Sequence, residues 1–132
     1  MRTKFLVSVT VALASLALTA PLVAHHSFAA EFDATKPVQM EGTITKVEWM
    51  NPHVFFYMDV SEAGGKVVNW ACEMGSPNSL QRQGWTRNTL QIGMKVAFEG
   101  TLAKDGSPKT NARNVTVGGK KLGAASSEGV TP

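Results

Sequence analysis

The stretch VQMEGTITKVEW, residues 38–49, decides the fold that we predict for this chain. Apolar and polar side chains alternate along it, which is typical of a half-buried β-strand. The alternation runs first in one phase and then in the other: Val38, Met40 and Ile44, followed by Val47 and Trp49. A change of phase within a strand predicts a β-bulge, here near residues 45–46. Because Gly42 allows a sharp bend, we expect a long, bent first strand.

Four more strands follow, predicted at residues 53–60, 66–73, 94–102 and 110–117. A short helix is predicted over Pro77–Gln83, since Ser76 is a good N-cap and Gly84 suits the helix end. Three strands, a helix and two strands is the order of an OB-fold. The sequence therefore predicts a mainly β protein, a five-stranded, partly open OB-like barrel with a helix between strands 3 and 4. A β-sandwich or a simple meander is the alternative.

The first 24 residues have the layout of a secretory signal peptide. Arg2 and Lys4 precede an apolar stretch without charge, Phe5–Leu18, which is too short for a comfortable membrane span. Cleavage after Ala24 is the favoured interpretation; cleavage after Ala20 or Ala29 is the alternative. No cysteine lies near these sites, so we expect no stable membrane anchor. A bacterial protein exported to the periplasm or secreted is predicted.

Beyond residue 24 we predict an N-terminal arm over residues 25–37, one domain over 38–118 and a flexible tail over 119–132, which is rich in Gly, Ser and Ala. The whole chain of 132 residues has 13 basic and 10 acidic side chains, a formal charge of +3. Loss of Arg2 and Lys4 leaves 11 basic and 10 acidic residues, a charge of +1. This weak field argues against nucleic acid as a partner.

The three histidines are the best candidates for a metal site. Cleavage after Ala24 would leave His25 with a free amine beside its imidazole, a natural chelate for copper. A second imidazole completes a plane of three nitrogens, which suits Cu(II) and is known as a histidine brace. His26 or His53 supplies that imidazole, and His53 is preferred because adjacent side chains converge poorly on one ion. The alternative is that the pair is an unstructured stub and His53 a turn residue.

An aromatic face is the second candidate site. His53, Phe55 and Tyr57 share one face of the second strand if Val54 and Phe56 face the core. Trp49 and Trp85 are predicted to flank that face. Such aromatics stack on ligand rings without needing a metal, so a metal-free module that binds a small ligand or a partner is the alternative function. Barrel packing would explain the same residues without any ligand.

Enzyme chemistry finds little support in the sequence. Ser76 lacks the Gly-x-Ser-x-Gly elbow of a nucleophilic serine, and the separation of Asp59 and Glu73, a conceivable carboxylate pair, cannot be read from the chain. Cys72 is the sole cysteine, so no internal disulfide forms. We expect it to be a buried apolar thiol, with a soft metal ligand or an intermolecular disulfide as alternatives.

Several short motifs are spread along the chain: His25-His26-Ser27-Phe28, Glu31-Phe32-Asp33, Glu41-Gly42-Thr43-Ile44, Asn51-Pro52-His53, Glu73-Met74-Gly75-Ser76-Pro77, Gly84-Trp85-Thr86 and Lys104-Asp105-Gly106. Together they resemble the domain of unknown function 6152 family of small exported bacterial proteins. The resemblance implies a small periplasmic or secreted β-domain and no particular reaction. Its histidine pair matches His25 and His26, and its Asn-Pro-His matches His53. This chain departs from the pattern at Cys72, where an aromatic residue often follows Trp-Ala.

Overall fold

A computed structural model describes residues 28–125. The elements in chain order are helix α1 (Phe28–Glu31), strands β1 (Phe32–Glu48), β2 (Phe55–Ser61) and β3 (Val67–Glu73), helix α2 (Pro77–Arg82), and strands β4 (Lys95–Ala103), β5 (Lys109–Val117) and β6 (Lys120–Gly123). The predicted signal peptide, His25 and His26 lie outside the described residues. No helix within residues 28–125 is both long and apolar enough to cross a membrane.

The six strands form one sheet in the order β3-β2-β1-β4-β5-β6, and an additional pairing of β3 with β5 closes five of them into a ring. The β3–β5 pairing is parallel, whereas the other neighbours are antiparallel. The prediction of a mainly β domain is thereby confirmed. The ring brings β3 beside β5, which are separated in the chain by the whole of α2 and β4.

Strand β1 contributes to two sides of the ring. Its earlier residues Pro37–Thr43 pair with β4, and its later residues Thr43–Glu48 pair with β2. The register with β2 shifts between Ile44 and Lys46, which confirms the predicted bulge. A Cβ atom at Gly42 would lie 2.5 Å from the backbone oxygen of Asp59, so only glycine allows the two strands to approach this closely.

The core lies inside the ring, where the inward side chains of every strand meet. Phe56 and Phe98 pack edge to face across it, with ring centroids 6.1 Å apart. Helix α2 adds Leu80 to this core and begins at Ser76, whose hydroxyl oxygen accepts a hydrogen bond from the Ser79 amide. The helix position between β3 and β4 matches the prediction to within one residue.

The structure corrects the first part of the predicted flexible tail; residues 126–132 lie outside the described residues. Residues 120–123 form β6, which pairs with β5, and Ala124 exchanges backbone hydrogen bonds with Arg113 and Gly75. Leu122 and Ala124 are buried. The Gly- and Ala-rich composition concealed this strand, since only two buried apolar residues and a ladder of backbone hydrogen bonds hold it. The predicted arm is likewise not separate throughout, because residues 32–37 belong to β1.

Candidate functional site

The outer face of β2 carries the side chains that the sequence singled out. Val54, Phe56 and Met58 are buried in the core, so Phe55 and Tyr57 point to the other side of the sheet. The rings of Phe55 and Tyr57 stack with their centroids 6.4 Å apart. Both side chains remain partly exposed. The predicted assignment of the two faces of β2 is therefore correct.

A chain of ionisable side chains borders these aromatics. The Nδ1 atom of His53 lies 2.8 Å from Oε1 of Glu73, at the end of β3. The Nζ atom of Lys109, the first residue of β5, lies 3.5 Å from Oε2 of the same carboxylate. Lys109 also pairs with the carboxylate of Glu31, the last residue of α1. We call His53, Glu73, Lys109 and Glu31 the ion-pair chain.

Glu73 is the buried member of the ion-pair chain, with only 6% of its surface exposed. Burial raises the pKa of Glu73 because desolvation disfavours its charged form, while His53 and Lys109 oppose the increase. Desolvation lowers the pKa of Lys109, but Glu31 and Glu73 outweigh it and raise that pKa overall. Lys109 therefore stays positively charged and balances the charge of the buried Glu73 carboxylate.

The contact with Glu73 determines which nitrogen of His53 is available. A carboxylate accepts hydrogen bonds, so Nδ1 of the imidazole donates its proton to Glu73. In neutral His53 the Nε2 atom then keeps its lone pair. A histidine that donates one ring N–H to a carboxylate and offers the other nitrogen is the usual form of a metal-binding histidine. The His53 side chain keeps 30% of its surface exposed.

The described residues do not form a complete metal site. Within residues 28–125, no group of three or more His, Cys, Asp or Glu side chains is placed to hold an ion. The metal-binding role predicted for His53 stays a prediction. His25 and His26, the other predicted ligands, precede the described residues.

The structure places Trp85 in the core. Trp85 is only 2% exposed, and its Nε1 donates a 2.6 Å hydrogen bond to the carbonyl oxygen of Gly123. The expectation that Trp85 flanks a ligand is corrected: its ring fills the core between α2 and β6. Trp49, directly after β1, is partly buried and packs against the core, and its predicted place beside the aromatic face stays a prediction. Of the four predicted ligand-binding residues, Phe55 and Tyr57 remain together on the outer face.

Each of these two aromatic rings has a lysine above it. The Nζ atom of Lys109 lies 5.5 Å from the centroid of Phe55, and that of Lys46 lies 5.1 Å from the centroid of Tyr57. The Tyr57 hydroxyl donates a 3.0 Å hydrogen bond to Glu48. Burial raises the pKa of Tyr57, and this hydrogen bond adds to the increase. The aromatic face is thus bordered by cations and hydrogen bonds that a ligand would have to displace or share.

Sequence reasoning missed the central role of Glu73. It considered Glu73 only as a possible partner of Asp59, whereas Asp59 accepts a hydrogen bond from Asn69 at 2.8 Å. Lys109 was not singled out at all. Glu73 and Lys109 come together through the parallel β3–β5 pairing, in which Glu73 opposes Asn111 and Ala71 opposes Lys109. No local pattern in the sequence predicts that pairing.

Cys72 is buried in the core next to these residues, and desolvation raises the pKa of its thiol to about 12. At pH 8 only on the order of one molecule in ten thousand would carry the reactive thiolate. We expect the folded protein to resist alkylation by iodoacetamide, and the same protein in guanidinium chloride to react completely. Mass spectrometry of the two samples measures the difference. Rapid labelling of the folded protein would contradict the buried placement and reopen the possibility that Cys72 is a metal ligand.

Comparison with protein families supports the resemblance seen in the motifs. A family model described as "Family of unknown function (DUF6152)" matches residues 12–112, which include β1 to β4, the start of β5 and every member of the ion-pair chain. No curated protein matches the chain.

Proposed function

The chain belongs to the DUF6152 family of unknown function, and from the geometry of its site we propose that it binds copper(II) and acts in copper binding or delivery. In this proposal His25 contributes its amine and imidazole, and His53 contributes Nε2. His26 is the alternative source of the last nitrogen. The single observation that carries the proposal is the 2.8 Å contact between Nδ1 of His53 and the buried carboxylate of Glu73.

That contact supports metal binding because it stabilises the tautomer of His53 that carries its proton on Nδ1. A carboxylate that accepts the Nδ1 proton fixes the ring orientation and leaves the lone pair on Nε2. Glu73 is a costly residue to bury, since its desolvation raises its own pKa. A turn histidine that bonds to nearby backbone would not require such a carboxylate. The imidazole nitrogen thus offered suits Cu(II), Zn(II) and Ni(II), and the amine–imidazole chelate at His25 favours Cu(II) among them.

The finer fold assignment is part of the same proposal. We propose that the ring of five strands is an OB-like, partly open barrel. Its support is the strand order around the ring, β1-β2-β3-β5-β4, together with the position of α2 between β3 and β4. In such a barrel the outer faces of β2 and β3 are a binding surface, and His53, Phe55 and Glu73 belong to those strands or directly precede them.

The copper chelate requires a defined first residue and an exported protein. We propose that a signal peptide is removed after Ala24 in a bacterial periplasm or during secretion, so that His25 becomes the N-terminus. The mass of the exported protein fixes this residue directly. An N-terminus at Ala30 would remove both His25 and His26 and would exclude the chelate.

The proposal is tested by titrating copper(II) into the protein that begins at His25, in competition with a chromophoric chelator. We expect one ion per chain and a marked loss of affinity when the amine of His25 is acetylated. Acetylation keeps all three imidazoles and removes only the amine from the chelate ring. Absence of binding, or equal affinity of the two proteins, would refute the proposed site.

A metal-free binding module is the second candidate, favoured by the stacked and partly exposed Phe55 and Tyr57. Two adjacent aromatic rings can pack against the flat faces of sugars or other rings. Titration with a neutral oligosaccharide, followed by tryptophan fluorescence, distinguishes the two functions. If this candidate is correct, Phe55→Ala abolishes the quenching, whereas removal of His25 has no effect.

A further inference from the structure

The ammonium group of Lys109 lies between two aromatic rings. Its Nζ atom is 5.5 Å from the ring centroid of Phe55 on β2 and 5.5 Å from that of Phe32 at the start of β1. Phe32 is buried, whereas Phe55 keeps part of its surface exposed. Only 26% of the Lys109 side chain is exposed. The positive charge therefore lies at the border of the aromatic face and is more shielded from water than that of an ordinary surface lysine.

Two carboxylates share this ammonium group, and they differ in exposure. Glu73 is buried, and its Oε2 atom lies 3.5 Å from Nζ of Lys109. Glu31 pairs with the same Nζ from the end of α1, and 36% of its side chain is exposed, more than that of either partner. No residue of helix α1 is buried. Glu31 is therefore the partner of Lys109 that an incoming group can replace.

Replacement of the Glu31 carboxylate needs only a rotation of its side chain. The backbone of Glu31 stays held, because its carbonyl oxygen accepts a 2.9 Å hydrogen bond from the Lys104 amide. The Lys104 ammonium also donates to the carbonyl oxygen of Ala29, which holds α1 in place. A second carboxylate in the position of the first leaves the charge around Lys109 unchanged. An uncharged group in that position would leave the half-buried ammonium less well paired, which costs free energy.

We propose that Lys109 makes the aromatic face a binding site for ring ligands that bear a carboxylate, with Glu31 occupying the carboxylate position until such a ligand binds. The inference rests on the metal-free binding function and names its ligand class. A ring of the ligand packs on Phe55 and Tyr57, and its carboxylate accepts hydrogen bonds from the Lys109 ammonium. Because Nζ lies 5.5 Å from the Phe55 centroid, one ligand ring can reach both groups. Acidic sugars and aromatic acids share this chemistry.

The other lysine at the aromatic face provides the contrast. The Nζ atom of Lys46 lies 5.1 Å from the Tyr57 centroid and pairs with Glu48. The Lys46 side chain is 59% exposed, so water screens its charge. Glu48 is also held by a hydrogen bond from the Tyr57 hydroxyl. The Lys46–Glu48 pair thus has the same charges beside an aromatic ring, but its ammonium is exposed and its carboxylate has a second partner.

Isothermal titration calorimetry in metal-free buffer tests the inference with two pairs of probes. The first pair is trigalacturonate and its methyl ester, and the second is benzoate and methyl benzoate. We expect the acid to bind about tenfold more tightly than its ester, the size of one charge-assisted hydrogen bond. This preference in either pair supports the inference and shows which source of the ring is bound. Equal affinity of acid and ester in both pairs overturns it.

Substitutions identify the groups that cause the preference. Lys109→Met should abolish it, and Lys109→Arg should retain it. Glu31→Gln removes the resident carboxylate and should raise the affinity for the acid by about two- to fivefold, with no change for the ester. The matched controls, Lys46→Met and Glu48→Gln, should each change the affinity by less than about twofold. If Lys109→Met does not fold, Glu31→Gln decides alone: an unchanged or lowered affinity for the acid overturns the inference.

The outcomes distinguish the inference from the function on which it rests. Acid and ester that bind equally well overturn the role of Lys109 and leave the metal-free binding function standing. Absence of binding by all four probes overturns that function and the inference with it. The copper site is tested separately from both, since these titrations contain no metal.

Discussion

Replacement of His53 by alanine is expected to lower the copper(II) affinity of the protein that begins at His25 by more than about a hundredfold. Loss of an outer-sphere partner alone typically weakens a metal site tenfold to a hundredfold, and loss of a direct ligand exceeds that. His53 lies in the turn before β2 and is partly exposed. The substitution leaves Glu73 paired with Lys109, so the fold should persist.

Glu73→Gln provides the graded comparison for this prediction. Glutamine keeps the shape of the side chain and removes the charge that orients His53, so we expect an affinity between those of the wild type and His53→Ala. Competition titration measures all three proteins under one condition, with circular dichroism as the control for folding. Equal affinity of His53→Ala and the wild type would show that the metal is held without His53, by the N-terminal pair alone.

Replacement of Trp85 by alanine is expected to lower the free energy of unfolding by about 3–5 kcal/mol, the usual cost of removing a large buried aromatic side chain. Trp85 is 2% exposed and bonds to Gly123, so its ring holds the β6 segment against α2. The substitution leaves a cavity and removes a hydrogen bond at the same time. Urea denaturation monitored by circular dichroism measures the change.

Two further variants help to interpret the loss of unfolding free energy in Trp85→Ala. Trp85→Phe keeps most of the ring and leaves the Gly123 carbonyl oxygen without its donor, so we expect a smaller destabilisation of about 1–3 kcal/mol. Ile92→Ala is the matched control, because Ile92 is 74% exposed and its truncation should change stability by less than about 0.5 kcal/mol. A Trp85→Ala protein as stable as the control would contradict the core position of Trp85 and favour its predicted role beside a ligand.

The strands were predictable because their side chains alternate and their turns carry strong signals. The bulge in β1 follows from a single change of phase between Ile44 and Val47. The helix follows from the Ser76-Pro77 start. Strand β6 was not predictable in the same way, since Lys120–Gly123 has one large apolar residue and owes its order to hydrogen bonds with β5 and to Trp85.

The candidate site was predictable only where it is local. His53, Phe55 and Tyr57 lie within five residues, and period two places the last two on one face. Glu73, Lys109 and Glu31 reach the same place only through the closure of the ring and the anchoring of α1. A tryptophan can serve as a ligand-binding residue or as a core residue. The sequence does not distinguish these roles for Trp85, whereas its burial in the folded protein does.

The central claim is that the amine and imidazole of His25 and the imidazole of His53 bind one copper(II) ion. Electron paramagnetic resonance of the 1:1 complex tests it most directly, because nitrogen hyperfine splitting counts the nitrogens bound to the metal. The account predicts three coupled nitrogens in the wild-type protein that begins at His25 and two in His53→Ala. The same count in both proteins would contradict it.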